Sequence, residues 1–272
     1  MPLGKDGRGW WLFHTCELPL TEHTARVDGV ELFYRMGGSG PPLLLLHGRS
    51  RAGLFWVPFL DAFGERHTVI VPDLPGHGRS SDFPEGFTHR DTARLMFALL
   101  DQLGLHRARG IGHSSGAFVL IHMATQRPER MQAMVLINGA HRQPLKTREW
   151  VRTICWENQD EETHELWLRH HPGGEPQVRA MLAQWRLQAE DHGDFDLSPE
   201  HLATISARTL LVWGDRDDLF PVELALEMYR AIPNSALWVV LGQGHSAIWD
   251  SEEAGAVFPA VVRRFFQGEL VG

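Results

Sequence analysis

One serine stands between two glycines, in Gly112-His113-Ser114-Ser115-Gly116, where a short strand-like stretch (107–111) gives way to an apolar helix-like one, Ala117 to Ala124. A turn that sharp needs glycine on both sides, because a strained serine brings its neighbours' Cβ positions against the adjoining strand and helix. The pattern G-x-S-x-G is a nucleophile elbow, which lifts the hydroxyl above the end of a sheet and aims the next backbone N–H, that of Ser115, at a reacting carbonyl oxygen. The chemistry it points to is acyl transfer. A serine hydroxyl is a poor nucleophile at neutral pH, so an imidazole must take its proton and a carboxylate must fix the imidazole's tautomer and stabilise its charge. The competing reading of these glycines is a dinucleotide-binding loop, but Gly110-x-Gly112-x-x-x-Gly116 has one residue too many for G-x-G-x-x-G.

Candidate partners follow in chain order. The loop Gly214-Asp215-Arg216-Asp217-Asp218-Leu219-Phe220-Pro221 offers three carboxylates, and residue spacing alone does not choose among them. Gly242-Gln243-Gly244-His245-Ser246 offers His245 as the base. Upstream, His47-Gly48-Arg49-Ser50 leaves an apolar run, and Gly48 lets the backbone approach closely; the Arg49 N–H is read as the second oxyanion donor beside that of Ser115. The Arg49 side chain is open to two readings, a solvated surface cation or a contact to an acidic substrate. His77 lies between two loop glycines and reads as a wall residue, while Asp73 and Ser80 read as ties for loop amides.

These residues must be positioned by something, and the hydrophobic pattern says what. Thr24 to Val27 and Val30 to Tyr34 flank Asp28-Gly29, a two-residue hairpin signal. Leu43 to Leu46 is an unalternating apolar run of the kind a strand buried on both faces requires, and His67 to Val71, Met134 to Ile137, Thr209 to Trp213 and Ala236 to Leu241 read as further strands. Helical spacing runs over Leu54 to Phe63, Thr92 to Leu103, Val222 to Ala231 and a terminal segment through Phe258, Val261, Val262, Phe265 and Phe266. Met134 to Ile137 ends in Asn138-Gly139, so no carboxylate waits there.

From about Ala140 to Pro199 no strand pattern occurs, and Trp150, Trp156, Trp167 and Trp185 are interleaved with acidic residues. Val178, Met181, Leu182 and Trp185 form the stripe of an amphipathic helix. An all-helical insertion at this point is expected to act as a lid.

From about residue 22 to 267 the chain resembles the α/β-hydrolase superfamily of serine esterases and their relatives. The resemblance rests on His47-Gly48, Asp73-x-x-Gly76-x-Gly78-x-Ser80, Gly112-x-Ser114-x-Gly116, Gly214-x-x-Asp217-x-x-x-Pro221 and Gly244-His245. It implies an α/β fold: a mostly parallel eight-stranded sheet with helices on both faces, a core over 22–140 and 200–272, a helical cap over 141–199, and an N-terminal extension over 1–21. It implies the order Ser114, Asp217, His245 for the triad, Asp217 being three residues after the loop glycine and four before the proline. The implied activity is hydrolysis of a carboxylic ester-type bond through an acyl-enzyme. Dehalogenases and epoxide hydrolases of the superfamily carry aspartate at the elbow, which Ser114 disfavours. Carbon–carbon bond hydrolases commonly have an aromatic residue after the histidine, where Ser246 stands here; lactonases, thioesterases and perhydrolases share the triad. A non-catalytic ligand-binding relative is the alternative of another class.

Composition narrows the partners. A formal net charge of −8 and a pI near 6.0 argue against nucleic acid or anionic membrane as the main partner and point to a small-molecule substrate. Cys16 and Cys155, far apart and in no metal or redox spacing, fit a reducing cytoplasm. The apolar piece Gly9-Trp10-Trp11-Leu12-Phe13 is too short for a membrane span. Histidines are plentiful, at 16, but Leu168 stands where a second metal-binding histidine would follow His164-Glu165, so no metal and no cofactor are expected.

Overall fold

A computed structural model describes residues 14–82 and 88–270. The apolar piece at 9–13 lies outside them. Eight strands form one sheet in the order β1-β2-β4-β3-β5-β6-β7-β8: β1 Leu20–Val27, β2 Val30–Gly38, β3 Pro42–Leu46, β4 Thr68–Pro72, β5 Ala108–His113, β6 Met131–Ile137, β7 Arg208–Gly214 and β8 Ser235–Val240. The first two pairings, β1 with β2 and β2 with β4, are antiparallel; all others are parallel. The first strand starts at Leu20, four residues before the hairpin signal, because Leu20 to Glu22 pair with Arg35 to Gly37.

Parallel strands buried on both faces need no alternation, and the four leucines illustrate why. Leu43 and Leu45 enter one apolar core with α1 (Val57–Gly64) and the terminal helix, while Leu44 and Leu46 enter the other with α2 (His89–Gln102) and α3 (Ser115–Gln126). The helix expected from Leu54 begins at Val57: Pro58 sits in its first turn, and Gly53–Trp56 form a 3₁₀ turn ahead of it. Leu54 consequently faces solvent at 46 % exposure rather than the core. Helix α2 begins three residues earlier than expected, because Thr88 and Asp91 form a reciprocal capping box.

Between β6 and β7 the chain is helical: α4 Leu145–Thr153, α5 Glu161–His170, α6 Gly174–Gln188, α7 His192–Phe195 and α8 Pro199–Ala203. Val151, Ile154, Trp167, Val178, Met181, Leu182, Trp185 and Ala189 form a third core of their own. Helices α9 Val222–Ala231 and α10 Glu252–Gln267 complete the fold. No described helix is long and apolar enough to cross a membrane.

The register positions the site. Leu46 pairs with Gly112, His113 with Ile137, Ile137 with Val212 and Gly214 with Val240. Five parallel strands therefore end at one edge, and the loops carrying Arg49, Ser114, Asn138, Asp217 and His245 leave side by side, where an open α/β sheet places its ligands.

Candidate active site

Ser114 has φ 51° and ψ −114°, a conformation that costs a non-glycine residue about 1–3 kcal/mol. Its N–H donates to the Ile137 carbonyl at 2.9 Å, and its own carbonyl accepts from Ala117 and Phe118 at 2.9 and 3.1 Å. The glycines are steric necessities. A Cβ on Gly112 would lie 2.5 Å from the Gly116 oxygen, and one on Gly116 would lie 2.3 Å from the Leu46 oxygen and 2.8 Å from that of His47. Backbone atoms of a central strand cannot yield. Gly116→Ala should cost about 3 kcal/mol, lowering the melting temperature by roughly 6–12 °C. Gly193→Ala, whose added Cβ would come no nearer than 3.4 Å to Asp191 Oδ1, should shift it far less; equal melts for the two variants would contradict this steric reading.

Ser114 Oγ lies 2.9 Å from His245 Nε2, and His245 Nδ1 lies 2.9 Å from Asp217 Oδ2. Of the three loop carboxylates it is Asp217 that meets the imidazole; Asp215 instead accepts from the Gly242 N–H. Burial pushes the Asp217 carboxyl up. The His245 imidazole, with the N–H groups of Phe220 and Asn138, outweighs burial and holds it below the usual carboxylate range. Leu219 and Phe220 donate to Oδ1 at 2.9 and 3.1 Å, and Asn138 Nδ2 donates to Oδ2 at 2.7 Å. So arranged, the imidazole can take a proton from the hydroxyl while the carboxylate fixes its Nδ1–H.

Three contributors have no side-chain role assigned by the sequence, although His47 and Asn138 stand in its motifs. Asn138 ends β6 where a carboxylate was looked for and supplies an amide to Asp217 instead. His113, whose pKa burial pushes well down, donates from Nε2 to the His245 carbonyl at 3.0 Å and fixes that loop. His47 is kept neutral by burial, which lowers its pKa to about 3. A neutral ring fits its contacts: Nδ1 donates to the Gly48 carbonyl at 2.8 Å and Nε2 accepts from the Leu74 N–H at 2.9 Å.

The loop after β3 passes over the elbow so closely that a Cβ on Gly48 would fall 3.2 Å from Ser114 Cβ. Arg49 follows it, and its N–H makes no hydrogen bond among the described residues. Ser115 opens α3, so its N–H is one of the four that a helix leaves without an internal partner. The loop after β4 is tied as the sequence suggests: Asp73 accepts from Gly53 and Arg79 at 2.7 and 2.9 Å, and Ser80 Oγ accepts from Phe33 at 2.9 Å.

A second hydrogen-bonded line runs beside the first. Ser115 Oγ lies 2.7 Å from His89 Nε2, and His89 Nδ1 lies 2.6 Å from Asp194 Oδ2. Asp194 also accepts from the backbone N–H groups of His89 and Arg90 at 2.9 and 3.0 Å, fastening the segment after α6 to the start of α2. Burial pushes its carboxyl up, but His89 and His122 outweigh this and hold it far down. A cavity of about 20 Å³ adjoins this line, with Arg49, His77, His89, Ser115, Trp185 and Gln188 in its wall. Among the described residues no cluster of three His, Cys, Asp or Glu is placed to hold a metal ion. His164 lies flat on Trp156, with ring centroids 3.7 Å apart.

Fold and edge place the chain among the α/β proteins whose chemistry sits where parallel strands end. A model of the alpha/beta hydrolase fold matches residues 41–163. The chain is 29% identical over 237 residues to the putative carbamate hydrolase RutD of Pseudomonas savastanoi pv. phaseolicola, covering 76% of this chain and 87% of that protein. It is 28% identical over 262 residues, 82% and 88% of the two chains, to the 2-hydroxy-6-oxononadienedioate/2-hydroxy-6-oxononatrienedioate hydrolase 2 of Pseudomonas putida. The structure superposes on MGS-M2, an alpha/beta hydrolase enzyme from a Medee basin deep-sea metagenome library, with a TM-score of 0.77 at 19% identity, covering 90% of this chain and 97% of that one. The chain has the α/β-hydrolase fold. Fold and relatives together support a hydrolase.

Proposed function

We propose that the protein is a serine hydrolase that cleaves a carboxylic ester-type bond of a small substrate through an acyl-enzyme. The observation that carries the proposal is the unbroken line from Ser114 Oγ through His245 to Asp217, with 2.9 Å at each step. Ser114 attacks the carbonyl carbon as His245 Nε2 takes its proton. The N–H groups of Arg49 and Ser115 hold the oxyanion, and His245 returns the proton to the departing alcohol. Water, deprotonated by the same imidazole, then attacks the acyl-enzyme and frees the acid. Residues 141–199 serve as the cap, and their aromatic side chains favour an apolar or aromatic body on the substrate. A panel of esters, lactones and thioesters of graded chain length, run beside Ser114→Ala, tests this reading: ester turnover that vanishes in the variant supports it, and ester turnover that survives contradicts it.

A second reading is supported by the relative from Pseudomonas putida, whose name describes hydrolysis of a dienedioate. In that reading the same Ser114 attacks a ketone and a carbon–carbon bond breaks. Ser246, where those enzymes commonly carry an aromatic residue, favours the ester.

A further inference from the structure

Arg49 presents a cation that forms no ion pair among the described residues. Its guanidinium stands in the cavity wall beside Ser115; Nη2 donates to Gln188 Oε1 at 2.6 Å, and the group lies 5.3 and 5.4 Å from the ring centroids of Trp185 and Phe195. Burial lowers its pKa to about 10, so it stays charged at neutral pH. Among the described residues no carboxylate is within ion-pair distance. Asp194 attracts it from further off, but that carboxylate is already held by His89 at 2.6 Å and by His122 at 3.2 Å. Removing a guanidinium from water without a counter-anion costs several kcal/mol, and aromatic faces return about 2 kcal/mol when desolvated. Apart from Nη2, its donors make no hydrogen bond to the described residues.

The same wall carries Ser115, whose hydroxyl donates to His89 and is not free for a ligand anion. Asp194 fixes His89 in turn. The cavity, about 20 Å³, has room for one or two waters, the scale of a carboxylate group. A tie between loop and cap would need only the packing and the one bond to Gln188; a cation with no described carboxylate in ion-pair range, set in the wall of a largely apolar hollow next to the elbow, fits recognition of an anion.

We propose that the Arg49 guanidinium forms a subsite for a carboxylate on the substrate, so that the compounds turned over are esters that carry a free acid as well. The proposal rests on the ester-hydrolase reading for the bond cleaved, but not for the binding.

Binding therefore tests it separately from turnover. In Ser114→Ala protein, titration calorimetry with monoethyl glutarate and with diethyl glutarate should give at least tenfold tighter binding of the acid. Adding Arg49→Met should bring the two ligands to parity, with Arg49→Lys in between. Equal or weaker binding of the acid, no binding of either ligand, or an acid preference that survives Arg49→Met overturns the subsite. If Arg49→Met fails to fold, the comparison in the Ser114→Ala parent decides alone. Should the wild-type protein bind the acid as expected yet cleave neither glutarate ester nor any of the panel, the subsite stands and the ester reading falls.

Discussion

Ser114→Ala should lower kcat for a p-nitrophenyl ester by a factor on the order of 10³ or more, because the members of a nucleophile, base and acid line act as a unit. What survives would come from the Arg49 and Ser115 N–H groups and from substrate binding, neither of which the substitution removes. The fold should stay intact, since the Ser114 backbone is held by the Ile137, Ala117 and Phe118 bonds and not by its hydroxyl. A second variant separates chemistry from strain. Ser114→Gly is expected to be equally inactive but about 1 kcal/mol more stable than Ser114→Ala, because glycine accepts φ 51° without the penalty a Cβ carries. Measured rates and melts of the two variants check both halves. Ester turnover within tenfold of the wild type in either variant would remove Ser114 from the reaction.

Acid should destabilise this protein steeply, well before its carboxylates titrate. Burial lowers the pKa of His47, His67, His77, His89, His113, His141, His170 and His171 in the fold. An unfolded chain takes up a proton at each of these near pH 6.5, whereas the folded one resists. Stability is thus fully present above about pH 6.5 and is lost as pH falls towards the folded values. For His47, His77, His113 and His170, the most strongly displaced, the loss between pH 7 and 5.5 is about 1.2 kcal/mol each and about 5 kcal/mol together. That is comparable with the whole stability of many domains, and it should lower the melting temperature by roughly 10–20 °C. The Asp217 and Asp194 carboxyls, both depressed, add their losses only at lower pH, below their ordinary value near 4. Thermal melts at pH 7.5, 6.5 and 5.5 check this; a flat series would mean that these imidazoles are solvated.

The parts legible in sequence are those fixed by local sterics and periodicity. Gly112, Gly116 and the leucines of β3 declare a tight turn and a doubly buried strand within a few residues of themselves, and the structure has both. Asp217 is different in kind: spacing left three carboxylates, and the resemblance alone selected the one that meets His245. Asn138 and His113 were passed over because their partners lie 79 and 132 residues away. Such contacts are created by the register of neighbouring strands, and composition near either residue carries no trace of them. The line from Ser115 to Asp194 crosses from the elbow to the segment after α6 and depends on how that segment is laid over α2. Thr88-His89-Arg90-Asp91, a capping pattern with aspartate at its end, was the available signal for where α2 begins, and so for the placement of His89.

Two adjacent serines each face a histidine backed by an aspartate, and the first, Ser114, is the proposed nucleophile. Treating the protein with a fluorophosphonate probe and mapping the adduct by peptide mass spectrometry tests that assignment most directly. A single adduct on Ser114, lost in His245→Gln and retained in His89→Gln, is the predicted result; an adduct on Ser115 or any other side chain would contradict it.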